Sequence, residues 1–149
     1  IIGSRSGATD VSLLFNRPLL VVNSTRFMES PLGSHDLFIQ KKIVDSEGLE
    51  LPFKDLIKDS KYFSSDGNEL ERLFGIKYID NSEDEILEAV IEMHMRLENK
   101  FTLNSKQIKL LCRYHNEYCK SNSWSDREAP ISINWLQNNS HLYLDYTIN

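Results

Sequence analysis

The residues best suited to do chemistry in this 149-residue chain stand near its start, in Gly3-Ser4-Arg5-Ser6-Gly7. Glycines carry no side chain, so a ligand can approach the backbone closely there. Ser4 and Ser6 add hydroxyl donors. Where a helix begins at such a turn, the first amides have no intrahelical partner and the helix dipole favours negative charge in front of them. The backbone N–H groups of Gly7, Ala8 and Thr9 would then grip an anion such as a phosphate. The same residues also suit a tight turn in which Ser6 is an ordinary helix cap with no ligand. The pattern leaves both readings open. No Gly-Lys-Ser/Thr follows, so it is not a Walker loop, and the third glycine of the dinucleotide fingerprint is absent.

The flanking residues say which elements must position this turn. Ile1-Ile2 reads as the end of a strand, and the missing methionine suggests a piece of a longer protein. Ala8 to Asn16 reads as a short helix, with Val11, Leu14 and Phe15 at helical spacing and Pro18 barring its continuation. Leu19-Leu20-Val21-Val22 is a continuous apolar run, the mark of a strand covered on both faces in a parallel sheet. Strand, turn, helix, strand is one right-handed crossover unit. It sets the glycine turn at the carboxyl end of its strand, where open parallel sheets bind ligands.

Further on, Leu37-Phe38-Ile39 is another strand-length apolar run. Leu51 to Lys58 is expected to be a short helix with Pro52 near its first turn. Glu69 to Phe74 is expected to be a helix closed by Gly75 in a left-handed cap, and Ile76 to Ile79 a last strand or an extended segment. Ser82-Glu83-Asp84-Glu85 is a capping box opening the clearest helix. In that helix Ile86, Leu87, Val90, Ile91, Met93, Met95 and Leu97 fall mostly on one apolar stripe. A second helix is expected from about Ser105 to Tyr118, and a last one within Ile131 to Leu144. The expected class is α/β: a Rossmann-like parallel sheet flanked by helices over residues 1–80, with a helical part over 81–149.

Composition narrows the function classes. The chain is 40% hydrophobic and 26% charged, ordinary for a globular protein, and its net charge of −5 argues against general nucleic-acid binding. No apolar run has the length of a membrane span. Cys112 and Cys119 are seven residues apart; on one helix they would lie on one face but two turns apart, too far to bond. Their use fits a reducing, cytoplasmic setting. No His-Glu-x-x-His, Cys-x-x-Cys or Asp-x-Asp appears, so no metal site is expected.

Ser4-Arg5-Ser6-Gly7, its helix and Asn16-Arg17-Pro18-Leu19-Leu20-Val21-Val22-Asn23 together resemble the nucleotide-binding half of glycosyltransferases of the two-Rossmann-domain (GT-B) type. They also resemble the related UDP-N-acetylglucosamine 2-epimerases. The nearer resemblance is to bacterial glycosyltransferases from surface-polysaccharide gene clusters. It continues through Leu37 to Lys42, Phe53 to Ile57, Gly75 to Tyr78, Asn81 to Ile86, Glu92 to Leu97 and Ile131 to Leu136.

The resemblance implies a donor site for a nucleotide-diphosphate sugar, with no other cofactor. Ser4, Ser6, Gly7 and Thr9 would hold the diphosphate. Residues from Asn23 to Arg26 would line the sugar or base pocket. Arg5 and Arg26 would offset phosphate charge, and Glu29 would accept ribose hydroxyls. Arg5 inside the turn departs from the family pattern. The implied partners are a glycan or lipid-linked acceptor and the N-terminal domain of the same enzyme, which would carry the catalytic base. The implied location is cytoplasmic, extending to the inner membrane face.

Three bland readings stand beside these. Glu29 and Arg5 also fit as solvated surface charges. His35, beside Asp36, is the one histidine expected near the cleft, and a surface loop suits it better. Lys41-Lys42 is a candidate patch for acidic substrates or membrane headgroups, although paired lysines are more often simply solvated. Two competing functions follow, a sugar-nucleotide epimerase and a non-catalytic binding or scaffolding module of the same fold.

Overall fold

A computed structural model describes residues 1–4, 11–12, 14–25, 35–56, 67–116 and 131–143. Three strands form a parallel sheet in the order β1 (Ile2–Gly3), β2 (Leu20–Ser24), β3 (Leu37–Gln40). Ile2 pairs with Leu20 and Leu20 with Leu37, so all three carboxyl ends point the same way. Leu19 to Val22 and Leu37 to Ile39 are buried, as the continuous apolar runs require of strands covered on both faces.

β4 (Lys42–Val44) and β5 (Lys77–Ile79) form a separate antiparallel pair, with Ile43 opposite Tyr78. The extended segment expected at Ile76 to Ile79 is therefore a strand, but it does not join the parallel sheet. Between them lie the one-turn helix α1 (Phe53–Leu56), which buries both of its end residues, and α2 (Gly67–Phe74), which buries Leu70. Gly75 closes α2 with φ +65°, the left-handed cap expected of it.

The helical part follows. α3 (Glu83–Leu97) opens with the expected capping box: Ser82 accepts from the Glu85 amide at 3.2 Å and Glu85 accepts from the Ser82 amide at 2.9 Å. α4 (Ser105–Tyr114) opens with a second capping box, between Asn104 and Gln107. α5 (Ile133–Asn138) is capped by Ser132 and followed by a 3₁₀ turn, Ser140–Leu142. Ile131 pairs with Phe38 along the outer edge of β3, and the Ser132 amide donates to the Phe38 carbonyl at 2.9 Å. The start of α5 thus covers the sheet edge that an exposed strand would leave unpaired.

The apolar stripe of α3 is wider than the core it meets. Ala89, Glu92 and Met93 are buried, whereas Leu87, Ile91, Met95 and Leu97 remain exposed. The first helix shows the same mismatch. Val11, Ser12 and Leu14 are helical, but Ser12 is the buried one, and Leu14 is 83% exposed. Asn16, at φ 46°, ends that turn two residues before Pro18. Cys112 is exposed and free, so it does not fill space in the core.

Candidate functional site at the carboxyl ends of the parallel strands

Gly3, Ser24 and Gln40 mark one end of the parallel sheet. The register sets exposed Ser4 level with Val22, one residue short of Asn23. Arg5, Ser6, Gly7, Ala8, Thr9, Arg26 and Glu29 lie outside the described residues. Of the residues assigned to the donor site, Ser4, Asn23, Ser24 and Thr25 can be located, and all stand at this end, with Ser24 buried.

Asn23 is built into the fold in a specific way. Its φ is +55°, and the pairing of β2 with β3 shifts register between Val21 and Ser24. This bulge interrupts the ladder at Asn23 before Ser24 pairs again with Gln40, as bulges do at sheet ends and beside sites. Asparagine tolerates the left-handed conformation better than most residues. Asn81 braces it. The Asn23 amide donates to Asn81 Oδ1 and the Asn81 amide donates to Asn23 Oδ1, both at 2.7 Å.

Asn81 also donates through Nδ2 to the Gln40 carbonyl at 2.6 Å, and the Tyr143 hydroxyl donates to Gln40 Oε1. Tyr143 is held in turn by rings of Phe53, Tyr114 and Trp135, at 4.7, 5.3 and 5.9 Å between centroids. A neutral polar lattice thus sits under the strand ends, with Ser24, Gln40 and Asn81 buried. The Lys41 amide, one residue past β3, donates to the Ser24 carbonyl at 2.8 Å. The lattice fixes where the chain leaves β2 and β3, toward residues 26–34 beyond one and β4 beyond the other.

Two candidates take on other roles. His35 is exposed but precedes β3, so it stands at the amino end of the sheet, opposite the strand ends that form the site. Its neighbour Asp36 is buried and accepts from the Leu19 amide at 2.9 Å, bracing the start of β2. The Lys41-Lys42 pair is not a free cationic patch. Lys41 pairs with Asp80, and Lys42 with Glu50 and Glu85, because the β4–β5 pairing and the start of α3 bring carboxylates to them.

Around Lys42, burial alone would raise the Glu85 carboxyl. The Ser82 backbone hydrogen bond, the Lys42 charge, and side-chain hydrogen bonds from Lys42 and Asn139 outweigh it and hold the group below its ordinary value. Burial pushes the Tyr78 hydroxyl up.

A second polar centre lies away from the strand ends. Glu92 is fully buried in the middle of α3. Oε1 accepts from Arg96 Nε and Nη2 at 2.9 and 2.7 Å and from the Ile133 amide at 3.1 Å. Oε2 accepts from the Ser132 hydroxyl at 2.7 Å and the Asn134 amide at 3.1 Å. The carboxylate therefore caps the start of α5, where amides are free and the dipole favours negative charge. Arg96 lies over the Phe101 ring at 4.5 Å. With five donors on two oxygens, Glu92 is a structural group with no lone pair directed at solvent.

Sequence reasoning passed over Asn81, Gln40, Tyr143 and the role of Glu92. The signal for Glu92 was present: an acidic residue between Ile91 and Met93, with an arginine four residues on, is a buried ion pair in waiting. For Asn81 the only cue was its place just ahead of a capping box.

Among the described residues, no group of three or more His, Cys, Asp or Glu could hold a metal ion. Likewise, no described helix is long and apolar enough to cross a membrane. Compared with protein-family models, curated proteins and solved structures, the chain matches none.

Proposed function

We propose that this chain is the donor-binding part of a GT-B-type glycosyltransferase acting in bacterial surface-polysaccharide synthesis. The observation that carries the reading is the parallel pairing of β1 with β2, with the helical residues Val11, Ser12 and Leu14 between them. That order sets Ser4 at the carboxyl end of the sheet, where parallel sheets take up ligands. The donor diphosphate rests on the amides of Gly7, Ala8 and Thr9 and the hydroxyls of Ser4 and Ser6. Amides and a helix dipole oppose the negative charge that builds on the leaving diphosphate, so the step runs without a metal ion. Arg5 and Arg26 add positive charge, Glu29 takes the ribose, and the bulged end of β2 at Asn23 turns the chain into the sugar pocket. The acceptor and the catalytic base belong to a second domain of the same enzyme, working in the cytoplasm or at the inner membrane face.

Equilibrium dialysis against UDP and GDP tests this. Binding is expected with a Kd on the order of a millimolar, as befits half of a site. Gly7→Asp, which places a carboxylate where the diphosphate would sit, should abolish it. Absence of binding by the unaltered chain at several millimolar nucleotide, or equal binding by Gly7→Asp, contradicts the reading.

A further inference from the structure

A groove of about 370 Å³ lies between α3 and α5, lined by Glu88, Ile91, Asn134, Gln137 and Asn138. Its size is at the low end of what small-molecule sites use. Glu88 stands more than one helical turn beyond Ser82, where α3 leaves the strand ends, so the groove is separate from the site described above.

Two hydrogen bonds hold the rim in place. Asn138 Nδ2 donates to Glu88 Oε2 at 2.9 Å, and Gln137 Oε1 accepts from Gln107 of α4 at 3.0 Å. Much capacity is left over. Glu88 keeps Oε1 as an acceptor, Gln137 keeps the N–H donors of its amide, and Asn138 keeps Oδ1 and one N–H. Asn134 is half-buried, and its side-chain amide has no partner among the described residues.

This mixture of donors and acceptors selects the ligand. Among the described lining residues Glu88 carries the only charge, so a phosphate or carboxylate would meet repulsion with no cation to offset it. A cation would suit Glu88, but it only donates, and the amide N–H groups of Asn134 and Gln137 would find no acceptor on it. An apolar ligand would strand donors and acceptors alike. A hydroxyl both gives and accepts. A ring with several adjacent hydroxyls serves the carboxylate and the amides together, and Ile91, 48% exposed, receives its C–H face. We propose that this groove binds a neutral mono- or disaccharide through Glu88 Oε1 and the side-chain amides of Asn134 and Gln137, with Ile91 as the apolar wall.

The side-chain amide signals of Asn134, Gln137 and Asn138 report on the groove directly in a nuclear magnetic resonance titration of the whole chain. The probes are neutral mono- and disaccharides of glucose, galactose, mannose and N-acetylglucosamine, with putrescine and inorganic phosphate as the charged alternatives. At least one saccharide should shift these signals saturably, with a Kd on the order of 1–10 mM. Asn134→Ala should weaken that binding about fivefold to tenfold, and so should Gln137→Ala, whose exposed position keeps the test intact if Asn134→Ala loses its fold. No saturable shift with any saccharide up to about 100 mM, binding indifferent to the folded variants, or tighter binding of putrescine or phosphate overturns the proposal. The site does not rest on the nucleotide reading. UDP should leave these three signals unmoved, and saccharide shifts here stand even if UDP moves nothing at Ser6 to Thr9.

Discussion

The carboxyl ends of the parallel strands and the junction of α3 with α5 solve the same problem by different means. In both, a buried side chain satisfies the backbone where one element stops and another begins. At the strand ends the group is neutral: Asn81 exchanges two hydrogen bonds with Asn23 and gives a third to Gln40. At the helix junction it is charged: Glu92 gathers Arg96, the Ser132 hydroxyl and two α5 amides. A buried charge left without its partner costs about 3–5 kcal/mol, whereas a buried neutral group left unpaired costs about 1–3 kcal/mol. The helix junction should therefore govern whether the chain folds, and the strand ends should govern how the chain leaves the sheet.

The largest effect expected from that contrast is at Glu92. Glu92→Ala strands the Arg96 charge and leaves the Ser132 hydroxyl and two amides unpaired, so it should destabilise by about 3–5 kcal/mol in urea unfolding. A loss below about 1 kcal/mol would remove the distinction between the two regions. Next comes Asn81→Ala, expected to lose about 2 kcal/mol through unpaired backbone groups at Asn23 and Gln40. If it equals Glu92→Ala, the neutral lattice matters to folding as much as the charge does.

Gly75→Ala sharpens the comparison by testing an element end held by backbone conformation alone. An added Cβ would meet nothing closer than Ser46 Cβ at 3.6 Å, so the left-handed φ of +65° is the whole penalty, about 1 kcal/mol. A much larger loss in thermal unfolding would show that packing is involved after all.

The smallest effect is a pH dependence at Glu85. Its carboxyl is held low in the folded chain, so its ionisation adds stability that is fully present above the unfolded value of 4.5. That contribution is lost as the pH falls through the lower folded value. Glu85→Gln should therefore leave the variant weaker at neutral pH, with the difference shrinking as the pH falls below 4.5. Parallel stability curves at every pH would contradict this.

What could be read from sequence was local. Leu19 to Val22 and Leu37 to Ile39 announced buried strands because nothing polar interrupts them. Ser82 with Glu85, and Gly75, announced element ends because their chemistry acts within a few residues. The partner of β5 was not legible, since Ile76 to Ile79 alternates equally well for any edge. Nor was the Asn23–Asn81 brace, which joins residues 58 apart. For Lys41 and Lys42 sequence offered a candidate patch or a simply solvated pair, and could not show that the fold brings Asp80, Glu50 and Glu85 beside them. Exposure of Leu87, Ile91 and Met95 was hidden for a related reason: helical spacing shows that a stripe exists but not how much of it the core covers.

The claim on which the functional account depends is that an anion binds where the first strand turns into its helix. Residue-by-residue amide shifts during a titration with UDP test it most directly. The account predicts shifts centred on Ser6 to Thr9, with smaller ones at Ser4 and Asn23 and none along α4. Shifts absent at millimolar UDP, or confined to the helical part, would contradict it.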